Sequence, residues 1–145
     1  MFQPVLYTIV EKKQLKEMIE SFQSCVDMPV QIIDDSGSIL QSCGPITSFC
    51  HLFKNYLPSN DTCERLHISA SKRAVTLGET YIFSCHANLN HIVFPLVNNG
   101  AFLGSILVGP FLMEKPDSLL IQDINKRYSI PTDSLIEMYE ETGSI

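Results

Sequence analysis

Tyr81-Ile82-Phe83-Ser84-Cys85-His86-Ala87-Asn88-Leu89-Asn90-His91-Ile92-Val93-Phe94-Pro95-Leu96-Val97 is the stretch whose reading decides the fold. Tyr81, Phe83 and Cys85 alternate with Ile82 and Ser84, so the three share one face of a short strand. Ala87-Asn88-Leu89-Asn90 breaks the pattern, and a second apolar run follows. Asn99-Gly100 comes next, a strong signal for a type I′ hairpin. A third apolar run extends from Ala101 to Gly109. Strands are therefore predicted at Thr80–Cys85, His91–Val97 and Ala101–Gly109. Pro95 cannot donate to a ladder and predicts an edge, a bulge or a strand end.

Upstream, Leu15, Met18, Ile19, Phe22, Cys25 and Val26 recur at helical spacing, and Pro29 stops the run. Thr8-x-x-Glu11 has the form of a capping box, which predicts one helix over Thr8–Val26. Val30–Asp34 and Ser38–Ser42 flank the turn residues Asp35-Ser36-Gly37 and predict a hairpin. Ile46, Phe49, Leu52, Phe53 and Tyr56 mark a second helix, ended by Pro58. A third opens at Asn60 or Asp61 and ends at Gly78, a C′ glycine. Helices over Asp117–Tyr128 and from Pro131 to about Glu141 close the chain. The order predicts an α+β fold of the PAS/GAF kind. It has a five-stranded, mostly antiparallel sheet with flanking and inserted helices, the helices lying on one face.

The 145 residues suit a single domain, and a 45% hydrophobic content is enough for a core. A net charge of −6 gives no electrostatic reason to contact nucleic acid or an anionic membrane. The longest apolar run, Ala101 to Met113, is broken by Gly104, Ser105, Gly109 and Pro110 and is too short to span a bilayer. No signal-peptide pattern opens the chain, so a cytoplasmic location is expected. Five cysteines, an odd count, argue against a disulfide framework.

Cys50, Cys63, Cys85 and His86 are the chemically notable residues. Three sulfurs and an imidazole form an acceptable zinc set and could also hold an iron–sulfur cluster. Their spacing is not that of a zinc finger, and cysteines on apolar helix faces serve equally as core. His67 stands one turn after Cys63 on the same helix face. Phe49, Phe53, Tyr81 and Phe83 could wall a small cavity, with Ser84, His86 and Ser105 orienting a ligand and Gly104 leaving room. No catalytic residues are assigned. Neighbours on a strand point apart, so Cys85-His86 is not a nucleophile–base pair, and no phosphate or dinucleotide loop is present.

The segment from Phe49 to Gly109 resembles the PocR sensory domain family. The resemblance rests on Phe49-Cys50, on Cys63 opening a helix to Gly78, and on Tyr81-x-x-x-Cys85-His86-Ala87. Pro95, Gly104 and Gly109 complete it. The chain departs from the family at Asn88, where a glycine is usual shortly after the Cys-His pair. The resemblance implies a PAS-like bacterial signalling domain, spanning residues 1–145 as the N-terminal part of a longer protein. It implies sensing of a small hydrocarbon derivative such as a short diol, ahead of a DNA-binding or kinase module. Two other readings stay open: a metal or redox sensor built on the cysteines, and a dimerisation module in which the N-terminal helix makes a homodimer.

Overall fold

Alternating apolar residues build a five-stranded antiparallel sheet in a computed structural model that describes residues 5–44, 50, 53–59 and 62–142. The strands are β1 (Val30–Asp34), β2 (Ile39–Cys43), β3 (Tyr81–Ser84), β4 (Asn90–Asn98) and β5 (Ala101–Phe111). Their spatial order is β2-β1-β5-β4-β3. The helices are α1 (Val5–Ile9), α2 (Lys12–Val26), α3 (Cys63–Leu77), α4 (Ser118–Tyr128) and α5 (Thr132–Glu141). None is long and apolar enough to cross a membrane.

The β4–β5 hairpin is centred as predicted. Asn99 and Gly100 both take positive φ, 51° and 78°, which a type I′ turn requires. Pro95 lies opposite Ser105 in β4. On the other side β3 pairs only as far as Val93, so Pro95 sits where that edge of β4 is open. Gly104 is not a space left for a ligand. Its φ is 148°, and a Cβ there would stand 2.2 Å from the carbonyl oxygen of Ile33, so the missing side chain lets β5 approach β1.

The helices cover both faces of the sheet rather than one. Val30, Ile32 and Val108 pack under Leu6, Leu15 and Ile19 of α1 and α2. Ile33, Leu107, Val93 and Phe83 pack under Ala70 and Ala74 of α3. The reason is visible in the central strands. Ile32-Ile33 and Leu107-Val108 are apolar on successive residues, so both faces must be buried. A third cluster closes one end, where Ile124, Ile130, Leu135 and Met138 of the α4–α5 region surround Ala87, Leu89 and Phe53.

The N-terminal helix is broken. α1 ends at Ile9 and α2 starts at Lys12, with Glu11 extended at the N-cap and making no side-chain cap. The Thr8 hydroxyl donates instead to the Val5 carbonyl, 2.6 Å away, so the capping box does not form. α3 is capped by Thr62, whose Oγ1 accepts from the Arg65 N–H, and it ends at Gly78 in the left-handed region. Asn60 and Asp61, the expected start, lie outside the described residues. So does most of the predicted helix Ile46–Tyr56, of which Lys54–Tyr56 form a 3-10 turn.

Candidate functional site

β3 stops at Ser84, and the chain enters a tight turn before β4. The Asn88 N–H donates to the Cys85 carbonyl at 2.8 Å, and the Cys85 N–H donates to the Leu89 carbonyl at 2.9 Å. Asn88 sits at φ 59°, in the left-handed region that glycine enters freely and asparagine tolerates best among other residues. The turn therefore needs a left-handed residue, and asparagine supplies it. Cys85 packs against the Ala87–Leu89 core cluster, and the Tyr139 hydroxyl of α5 donates to the Ala87 carbonyl at 2.5 Å. Burial raises the Tyr139 hydroxyl pKa above its ordinary value, with the Cys85 thiol adding to the effect.

Two clefts open along β3. The first, about 460 Å³, lies between β3 and α3. Leu66, Ala70, Tyr81 and Phe83 supply its apolar walls, and Ser69, Ser84, Asn90 and Arg73 its polar groups. The second, about 480 Å³, lies between the 85–89 turn and α4. Cys85, His86 and Asn88 face Leu120, Ile124 and Tyr128 across it. Leu66 and Ser84 line both clefts, so the two meet at the end of β3. The first cleft draws its polar groups from α3, from Ser84 at the end of β3 and from Asn90 at the start of β4. A hollow of about 550 Å³ under 112–116 and α5 has Leu112, Met113, Ile121, Ile136 and Tyr139 in its walls with Glu114, Lys115 and Glu140 beside them, and one of about 680 Å³ is lined by Ser36, Glu64, Arg65 and Lys72. The latter is a charged surface recess; the former, like the β3 clefts, combines apolar walls with polar groups, as ligand sites do, and the β3 clefts differ from it in meeting at the strand end that carries Cys85-His86.

Beneath α3, beside the first cleft, three rings pack together. His91 stacks on Phe83 with centroids 5.2 Å apart, and His67 stands 5.8 Å from His91 and 6.1 Å from Phe83. Burial lowers the His91 pKa to about 3, with His67 adding to the effect. Burial also lowers that of His67 to about 4, helped by Lys54 and His86. Both rings are neutral at physiological pH. His67 was expected beside Cys63 on the helix face; no signal in the sequence paired it with His91, which comes from a different element.

The predicted site residues divide. Tyr81, Phe83, Ser84 and His86 line the β3 clefts. Phe53 is buried in the end cluster, edge-on to Tyr128 at 5.0 Å. Ser105 is fully buried beneath α3, and its hydroxyl donates to that of Ser71 at 2.8 Å. Phe49 lies outside the described residues. Arg73, Asn90 and Leu66 were not foreseen. The periodicity of α3 places Leu66 and Arg73 on one side, but only the tertiary fold shows that this side borders β3.

Cys50 and Cys63 lie near enough to Cys85 to raise its thiol pKa, although burial is the larger cause and lifts it to about 12. The Cys85 thiol is thus held protonated in the chain as it stands. Among the described residues no three His, Cys, Asp or Glu side chains are grouped to hold a metal ion.

No curated protein matches the chain. A family model described as the sensory domain found in PocR matches residues 8–145. That span takes in α2, the whole sheet, the Cys85-His86 turn and the closing helices. The chain belongs to the family of PocR sensory domains.

Proposed function

We propose that this domain senses a small hydrocarbon derivative, of the size and polarity of a short diol, bound in the joined clefts along β3. The observation that carries the reading is the lining. Leu66, Tyr81 and Phe83 offer hydrocarbon and aromatic surface, while Ser84, His86 and Asn90 offer hydroxyl, imidazole and amide groups at their margins. A short diol has the same division between apolar chain and hydrogen-bonding end. The reading is of a binding domain in bacterial signal transduction, cytoplasmic, acting ahead of an output module and performing no catalysis itself.

The signal would leave through α4 and α5. A ligand in the second cleft touches the 85–89 turn on one side and α4 on the other. The Tyr139–Ala87 hydrogen bond ties that turn to α5. Ligand affinity must differ between two positions of this turn for binding to move the helices. The test uses pentane-1,2-diol as probe. It should raise the melting temperature of the protein and give a calorimetric isotherm. Ser84 is exposed and lines both clefts, so Ser84→Leu should fill them without disturbing the core. A folded Ser84→Leu protein that still binds the diol with unchanged affinity would place the ligand elsewhere.

A second reading rests on a separate surface. Met18 and Phe22 of α2 are 55% and 42% exposed, one helical turn apart. Such a stripe suits homodimerisation through the N-terminal helix. Light scattering of Met18→Lys against the unaltered chain tests it, with loss of a dimer as the expected result.

A further inference from the structure

The first cleft has a polarity that a neutral diol does not use. Arg73 is the one charged residue among those lining it, and no carboxylate lines it. This contrasts with a chain whose net charge is −6. The guanidinium lies over the Tyr81 ring, 5.7 Å from its centroid, which holds the cation at the cleft wall. Among the described residues no carboxylate forms an ion pair with it; the Arg127–Asp123 pair, by comparison, closes at 2.7 Å on α4. Arg73 therefore keeps its hydrogen-bonding fork available. The same cleft holds Ser69 and Asn90, both able to donate, and the apolar surface of Leu66, Ala70 and Phe83.

We infer that the ligand of this chain carries a carboxylate, bound by Arg73, with a short hydrocarbon tail running along α3 and β3. The inference rests on the β3 cleft being the ligand site and adds the ligand's charge. Guanidinium and carboxylate match as a planar fork on a planar acceptor, and a charge-assisted bond is stronger than a neutral one. Ser69, one helical turn before Arg73 in α3 and lining the same cleft, is the hydroxyl placed to meet a hydroxyl on the adjacent carbon. The ligand class is thus a short-chain carboxylic acid or 2-hydroxy acid, the oxidised counterpart of a diol.

Calorimetry with three matched probes separates the possibilities: pentane-1,2-diol, 2-hydroxypentanoate and its neutral isostere 2-hydroxypentanamide. The carboxylate should bind about tenfold more tightly than the amide at low salt, and added salt should narrow that gap. Arg73→Met should abolish the preference by weakening the carboxylate far more than the amide or the diol, with folding verified by thermal melt. Arg73→Lys should retain part of it. Equal affinity for carboxylate and amide in the unaltered protein overturns the charge assignment while leaving the cleft in place. So does a preference that survives in Arg73→Met. Binding of none of the three, or binding insensitive to Ser84→Leu, overturns the cleft itself and the charge assignment with it.

Discussion

Under α1 and α2 the sheet presents hydrocarbon almost throughout. Leu6, Leu15 and Ile19 meet Val30, Ile32 and Val108, with the Gln41 amide held at the margin by Tyr7 and the Lys12 carbonyl. Under α3 the same strands present Ile33, Val93 and Leu107, but two imidazoles and two serine hydroxyls are buried or half-buried among them. Burying such groups opposes folding unless each is neutral or hydrogen-bonded. The imidazoles are held neutral, and the hydroxyls form a chain from Ser105 to Ser71 to the His67 carbonyl, each link 2.8 Å. The first face is support. The second accepts polar groups beside the clefts, which is where a ligand needs them.

The difference is sharpest if the support can be removed separately. Gly104→Ala should have the largest effect, because it strikes the contact on which both faces depend. The new Cβ would meet the Ile33 carbonyl at 2.2 Å, and the positive φ is unfavourable to alanine as well. Strand β1 would have to leave β5. The expected outcome is a protein without a cooperative melting transition; a normal melt would show that the β1–β5 approach is not required.

Next come the two faces individually. Ile32→Ala opens a cavity in the α2 face and should cost about 2–5 kcal/mol in chemical denaturation, with ligand affinity unchanged in the folded fraction. Phe83→Ala should cost about 3–5 kcal/mol, and it should also weaken ligand binding, because Phe83 is both core and cleft wall. If Ile32→Ala weakens binding as much as Phe83→Ala, the division between a supporting and a binding face is wrong.

Acid should act through the α3 face. From about one pH unit above 6.5 both His67 and His91 are neutral whether the chain is folded or not, so there neither makes stability depend on pH. Below 6.5 the unfolded chain takes up protons that the folded one refuses until about pH 4 at His67 and about pH 3 at His91. Stability therefore falls as pH drops from 6.5 toward 3. The slope approaches about 2.7 kcal/mol per pH unit with both histidines contributing, and is less to the extent that His67 meets water. His91→Leu should flatten the slope by roughly half. An unchanged slope would mean that carboxylates elsewhere dominate the acid transition.

Much of this contrast could be read from the chain and some could not. The hairpin at Asn99-Gly100 and the strand Tyr81–Ser84 were legible because turn chemistry and alternation are local. Covering on both faces was also written locally, in Ile32-Ile33 and Leu107-Val108, although helices on one face were expected. The capping box failed because Thr8 found a nearer acceptor in the Val5 carbonyl. Tyr81, Phe83, Ser84 and His86 were legible as cleft candidates from the strand and its end. Arg73 was not, since a surface arginine on a helix looks like any other until Tyr81 is placed beneath it. Ser105 was legible only as one candidate to face inward, with Ser84 the other, and not as bonded to Ser71, which is a meeting of β5 and α3 that no local pattern encodes.

That serine pair supplies the smallest and most discriminating test of the contrast. In Ser105→Ala, Ser71 loses an incoming donor but still donates to the His67 carbonyl, so the loss should be about 0.5–1.5 kcal/mol. In Ser71→Ala, the fully buried Ser105 hydroxyl loses the acceptor it uses, and the cost should rise to about 1–3 kcal/mol. Removing both hydroxyls leaves no buried donor stranded at Ser105. The double variant should therefore be more stable than Ser71→Ala alone, a reversal that independent sites cannot produce. Equilibrium denaturation of the four proteins measures it. Simple addition of the two losses would mean that the hydroxyls are not coupled, and that the α3 face tolerates polar groups one at a time rather than as a connected chain.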